Sequence, residues 1–230
     1  MRKPKLCAVI SNNNAEWIRT ANSADLIEVR IDMIGEYWRS LLKTLRRPWI
    51  GCNRSKNEGG TWNGTESERI RELLDAISLG ATYIDIELRS DQVKEVIKYT
   101  KKSNKKVIIS YHDTRETPTL AELKQIIKEE ACLGADLCKL VTTANRFEDN
   151  LTILQLLQEN SDLTRITAFC MGEKGIVSRI LSPLFGGELV YVSTGVGSES
   201  ATGQISLESF KKIYKMIDQK TRIQLVSDRV

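Results

Sequence analysis

The 230-residue chain predicts an α/β fold, a single (β/α)8 barrel over residues 1–230, on three observations. Eight short β-branched or apolar runs recur along it, longer stretches with helical spacing separate them, and the order is strand then helix throughout. Strands alternating with helices imply right-handed βαβ crossovers and a parallel sheet. Eight such units in a chain of this length favour a closed barrel over the alternative, an open doubly wound sheet.

The first run, Lys5–Ile10, leads into Ser11-Asn12-Asn13-Asn14, which lacks the Gly-x-Gly-x-x-Gly turn of a dinucleotide site. The second, Leu26–Arg30, contains Glu28-Val29-Arg30, two charges at period two and therefore on one face of the strand. They read either as a Glu–Arg pair closing the barrel end or as a clamp for a polar substrate. The third run, Pro48–Cys52, is followed by Arg54 and a charged loop in which Gly59-Gly60 is a hinge or a plain turn and Glu58 could reach a histidine.

Ile70, Leu73, Leu74 and Ile77 then mark a helix over Glu66–Leu79, and the fourth run, Tyr83–Leu88, carries Asp85 and Glu87. The basic stretch from Lys101 to Lys106 reads as a solvated turn before the fifth run, Lys106–Tyr111, behind which stands His112. A helix over Leu120–Leu133, with Leu123, Ile126, Ile127 and Ala131 apolar, leads to the sixth run, Leu137–Val141, with Lys139 inside it. Arg165–Cys170 runs into Met171-Gly172, and Leu189–Ser193 opens on a loop of small and hydroxyl residues through Ser198, Ser200 and Gln204. That loop suits either a closing lid or plain solvent exposure.

A barrel places its chemistry at the C-terminal ends of the strands, and the polar residues collect there: Ser11, Glu28, Arg30, Arg54, Asp85, Glu87, His112 and Lys139. Lys139 has apolar neighbours on both sides. Burial disfavours the ammonium and can bring a lysine pKa down to about 7–8, which frees an amine to attack a ketone or aldehyde. The structural alternative is a lysine with a buried stem whose head reaches solvent or a carboxylate. His112 is the only histidine, which excludes a multi-histidine metal site and makes it the one histidine available for proton transfer.

Composition narrows the partners. The net charge of +4 is spread along the chain, so nucleic acid is not expected. Five cysteines, odd in number and without a Cys-x-x-Cys pair, suit a reducing compartment, and the apolar run Leu6 to Ile10 is too short for a signal core or a membrane span; the expectation is a cytoplasmic protein with no membrane contact.

Taken in order, Glu28-x-Arg30-x-Asp32, Arg54-Ser-Lys-x-Glu58-Gly-Gly, Asp85-Ile-Glu87, Ser110-Tyr-His112-Asp, Gly134-Ala-Asp-x-x-Lys139, Met171-Gly with Ser178-Arg179, and Ser200-Ala-x-Gly-Gln204 resemble type I 3-dehydroquinate dehydratase from Ser11 to Gln204. The resemblance implies a shikimate-pathway lyase in which Lys139 forms an imine with the C3 ketone of 3-dehydroquinate and His112 moves the proton. It implies that Glu58 orients His112 and Arg179 holds the substrate carboxylate. Glu28, Arg30 and Arg54 become substrate-hydroxyl and site-ordering residues, and Ser11, Ser200 and Gln204 further substrate contacts. It implies no metal or organic cofactor, and a homodimer. Thr202 stands where the family usually has proline, which bears on the stiffness of the lid. The rival readings are another Schiff-base barrel lyase, such as a class I aldolase, and a non-catalytic barrel that binds a small acid.

Overall fold

The computed structural model describes residues 4–160 and 164–227; Arg2, Lys3 and the last three residues of the C-terminal tail lie outside them. Its strands are β1 (Lys5–Ile10), β2 (Leu26–Arg30), β3 (Trp49–Cys52), β4 (Tyr83–Glu87), β5 (Lys106–His112), β6 (Leu137–Thr143), β7 (Ile166–Met171) and β8 (Leu189–Val192). All pair in parallel, in the order β7-β6-β5-β4-β3-β2-β1-β8. The seam between β7 and β8 is bridged where the Glu188 amide donates to the Ile166 carbonyl (2.8 Å) and the Leu189 amide to the Thr167 hydroxyl (3.0 Å). The result is the expected (β/α)8 barrel.

Helices α1 (Ala15–Ala21), α4 (Glu66–Ser78), α5 (Val93–Lys102), α6 (Leu120–Cys132), α7 (Glu148–Asn160), α8 (Ile176–Leu181) and α9 (Leu207–Ser227) pack outside the strands, with the short α2 (Ile31–Ile34) and α3 (Trp38–Leu41) after β2. Local chemistry starts three of them, and α4 and α6 begin at Glu66 and Leu120 as expected. The Asn14 side chain caps α1, and Thr65–Glu68 and Thr119–Glu122 form reciprocal capping boxes at α4 and α6. Between β2 and β3 the single helix of a simple alternation is broken into pieces, because Gly35 takes φ 67 and ends α2.

Period-two alternation sorts the side chains. Ile27, Val29, Ile84, Ile86, Cys138 and Leu140 face the helices, where they join Leu73, Leu123 and Ile153. Leu26, Ile50, Ile108, Leu137 and Leu189 fill the lower barrel interior. The inward positions one step further along the strands are Glu28, Asp85, Lys139 and Tyr191, so the apolar plug gives way to charge toward the C-terminal mouth. Strands 5, 6 and 7 run one to two residues beyond their apolar stretches, which puts His112 on the end of β5 rather than after it.

Candidate active site

A cavity of about 360 Å³ opens at the C-terminal mouth, and Glu28, Arg30, Arg54, Glu58, His112, Lys139, Arg179, Ser200 and Gln204 all line it. Of the ten residues picked out as site residues in the sequence, only Ser11 is not on its wall. The Ser11 hydroxyl is buried and donates to the Ser198 carbonyl (3.3 Å), because the loop after β8 lies over the end of β1.

Lys139 is 5% exposed at its side chain, its Nζ 2.7 Å from Asp85 Oδ2 and 3.1 Å from Glu28 Oε1, with the Tyr191 ring centroid at 4.2 Å. Burial pulls its pKa down, but Asp85 and then Glu28 more than offset this, and the net shift is upward. The expectation of a lysine lowered by burial is thereby corrected: two carboxylates from β2 and β4, which the apolar flanks of Lys139 give no sign of, hold it as an ammonium. Glu28, Cys52 and Asp85 bring three possible metal-ligand atoms within 4.8 Å of one another, and the Lys139 ammonium is the cation already bonded to both carboxylates.

Asp85 also accepts from Arg54 Nη2 (2.7 Å) and from the Ser110 hydroxyl (2.6 Å). Arg54 Nη1 bonds Ser110 Oγ (2.7 Å) and pairs with Glu87 Oε1 (3.0 Å), and the other Glu87 oxygen receives Arg69 Nη1 from α4 (2.7 Å). This alternating chain of buried charges crosses three strands and a helix. Arg30 does not pair with Glu28. It forms a bidentate bond to Asp32 (2.9 and 2.7 Å), which the Thr61 amide also reaches (3.0 Å).

Glu58 Oε2 lies 2.8 Å from His112 Nδ1 and accepts from the His112 backbone amide (3.0 Å). It gets there because Lys56–Glu58 forms one 3-10 turn that Gly59 ends at φ 79, while a side chain on Gly60 would meet the Arg54 carbonyl at 2.0 Å. The glycine pair therefore builds a tight turn. Burial raises the Glu58 pKa to about 8, and burial with Arg54 and Lys139 lowers that of His112 well below the usual imidazole value. With Nδ1 facing Glu58, Nε2 is the nitrogen left to exchange a proton with a ligand.

Arg179 differs from the other cations. It is buried over the Phe169 ring (4.4 Å), its Nε and Nη2 have no hydrogen-bond partner among the described residues, and burial lowers its pKa to about 10, which leaves it cationic. Its position is set by residues that carry no obvious chemistry: the Ser178 amide donates to Asn150 Oδ1 (2.9 Å), and the Ser178 hydroxyl accepts from the Cys170 amide (2.9 Å). Ser200 donates to Gln204 Oε1 from its amide (2.8 Å) and hydroxyl (3.2 Å), and the Gly172 amide ties the same loop down at the Thr202 carbonyl (3.1 Å).

Sequence reasoning placed Asp85 at the barrel mouth without giving it a role, and gave none to Ser110, Phe169 or Tyr191. Nothing in the apolar β7 and β8 distinguishes Phe169 or Tyr191 from core.

Amine, imidazole and unpartnered guanidinium on one cavity can attack a carbonyl, move a proton and bind a carboxylate. Residues 8–221 match the family model for type I 3-dehydroquinase. A 3-dehydroquinate dehydratase of Dehalococcoides mccartyi is 37% identical over 95% of this chain and 98% of that one. One of Methanocaldococcus jannaschii is 36% identical over 92% and 98%. Among solved structures, the type I 3-dehydroquinate dehydratase of Clostridium difficile, with covalently modified comenic acid, superposes with a TM-score of 0.84 at 25% identity, covering 94% of this chain and 93% of that one.

Proposed function

The chain belongs to the type I 3-dehydroquinase family and is a 3-dehydroquinate dehydratase of the shikimate pathway, and on that premise we propose that Lys139, His112 and Glu58 carry the reaction and the remaining cavity residues hold the substrate. One observation supports this above the rest: the buried Lys139 amine, the sole histidine and an arginine whose Nε and Nη2 have no hydrogen-bond partner among the described residues open on the same cavity.

Arg179 takes the substrate carboxylate on Nε and Nη2, the donors that have no acceptor among the described residues. Lys139 gives one ammonium proton to a base in the cavity, Glu28 at the longer 3.1 Å contact or His112, and the free amine attacks the C3 ketone. The ketone oxygen leaves as water and a protonated imine remains. His112 removes the C2 proton, the electron pair moves to nitrogen to give an enamine, and its return expels the C1 hydroxyl, which takes the same proton and leaves as water. Hydrolysis of the imine consumes one water and releases 3-dehydroshikimate and the amine, so the net change is loss of one water. Glu58 keeps the histidine in one orientation. Glu28, Arg30 and Arg54 meet the ring hydroxyls and order the site, Ser200 and Gln204 cover the substrate, and Ser11 anchors the covering loop through Ser198.

The whole chain acts as one catalytic unit, as a homodimer in the cytoplasm. The free cysteines support the compartment, four of the five being buried, and no helix among the described residues is long and apolar enough to cross a membrane.

Borohydride reduction in the presence of 3-dehydroquinate, followed by peptide mass mapping, is expected to place one adduct on Lys139. His112→Ala is expected to keep the adduct while turnover falls roughly 10²–10⁴-fold. Substrate consumption without an adduct would overturn the role of Lys139, and undiminished turnover in the variant that of His112.

A further inference from the structure

We infer that Tyr191 is a further catalytic residue, whose ring face supports the positive charge on the Lys139 nitrogen after the imine has formed; this rests on the imine reading above. Tyr191 points inward from β8 and lines the cavity, with its ring centroid 4.2 Å from Lys139 Nζ. It is 5% exposed, and its hydroxyl has no hydrogen-bond partner among the described residues, so the polar end of the side chain gives no reason for its position. The ring does: its π face is electron-rich and attracts a cation with no need of an N–H directed at an acceptor.

That difference matters during the reaction. The resting ammonium has three N–H bonds, two of them directed at Asp85 and Glu28. Condensation replaces the C3 oxygen by nitrogen with loss of water, and the protonated imine keeps one N–H. At most one carboxylate then stays hydrogen-bonded while the charge persists, so the ring contact, which depends on no proton, carries a larger share of the stabilisation in the imine than in the ammonium, and losing the ring costs the imine more. Burial pushes the phenol ionisation up, so the ring stays neutral. A second contact fixes its tilt: Tyr191 meets Phe169 at 6.0 Å and 46°, and Phe169 lies under Arg179 at 4.4 Å. Two touching rings therefore underlie the imine nitrogen and the arginine.

The test compares wild type with Tyr191→Phe, which keeps the ring, and with Tyr191→Leu and Tyr191→Met, which remove it in two shapes. Borohydride trapping on Lys139 is titrated against 3-dehydroquinate, and each protein's Kd is measured for the C3-alcohol analogue, which keeps the carboxylate and lacks the ketone. Tyr191→Phe is expected within about threefold of wild type in both. The non-aromatic variants are expected to need roughly 10- to 30-fold more substrate for half-maximal trapping, with analogue binding within about threefold of wild type. Wild-type-like trapping in Tyr191→Leu or Tyr191→Met overturns the inference, as does equal loss in Tyr191→Phe, which assigns the effect to the hydroxyl. A parallel loss of analogue binding in both non-aromatic variants also overturns it, since the ring would then only pack the cavity. Absence of an adduct in wild type is a separate result: it removes the imine reading itself, whereas a failure confined to Tyr191 leaves that adduct in place.

Discussion

The proton on His112 is governed by a few ångströms of structure around one ring. Burial, then the nearby Arg54 and Lys139 cations, lower its pKa below the usual 6.5, with Asp85 opposing. In the role proposed for His112 the neutral form accepts the C2 proton, and a lowered pKa keeps it neutral at pH values where an exposed histidine is protonated. The acid limb of kcat/KM is therefore expected below pH 6.5, measured as initial rates across a buffer series; a limb centred at or above 6.5 contradicts the stated environment. Lys139 shows the limit of residue-level reading. Its apolar flanks predicted burial correctly, at 5% exposure, but the sign of its pKa shift depends on Asp85 and Glu28, 54 and 111 residues away in the chain. Glu58 was legible as a residue able to reach a histidine, because a turn marked by Gly59-Gly60 announces itself in the sequence.

Strands and helices were legible wherever apolar periodicity persists to their ends. The capped starts of α4 and α6 fall on Glu66 and Leu120, as expected, whereas β6 continues through Thr142 and Thr143, polar residues that end an apolar run but not a ladder. One helix position breaks the pattern. Glu130 on α6 is fully buried toward the strands, where the Cys138 thiol and the Lys139 backbone are the polar groups beside it and no cation pairs with it among the described residues. Burial raises its pKa well above 4.5, so the folded protein holds a proton there that the unfolded chain releases once pH exceeds 4.5. Stability from this group is full below pH 4.5 and declines by about 1.4 kcal/mol per pH unit above it, until the folded pKa is reached. Glu130→Met, which keeps the volume and deletes the carboxyl, is expected to unfold at higher denaturant than wild type at pH 8 and to show a shallower fall between pH 5 and 8. Identical pH dependence in the two proteins would remove Glu130 from the account. Glu58, raised to about 8, contributes in the same direction in both, so the difference isolates Glu130.

At the scale of the molecule, the barrel is what turns separate strand-end charges into one network. Each charge was visible on its own run, but only closure brings Glu28 of β2, Asp85 of β4 and Lys139 of β6 to one point, with Arg54 from beyond β3. Asp85 is the shared element: its side chain is fully buried and accepts from Lys139, Arg54 and Ser110. Burial alone would raise its pKa; Arg54 and Lys139 outweigh that and hold it below the ordinary carboxylate range. Its stabilising effect is therefore present above the unfolded value near 3.9 and is lost as pH falls through the lowered folded value. Asp85→Asn keeps the shape and removes the charge between two buried cations. The expected cost is roughly 3–5 kcal/mol at neutral pH, the range for breaking a buried pair. For a chain of this length that is a fall in Tm of roughly 10 °C, read by thermal unfolding. Lys139→Met also leaves charge under-compensated, on Glu28 and on Asp85, which keeps only Arg54 as a cation partner. The double variant relieves part of both defects, so its loss should be smaller than the sum of the single losses, because the two residues share one contact at 2.7 Å. Strict additivity would mean that the ammonium and carboxylate do not depend on each other, and the charged mouth of the barrel would then be a set of neighbours and not a network.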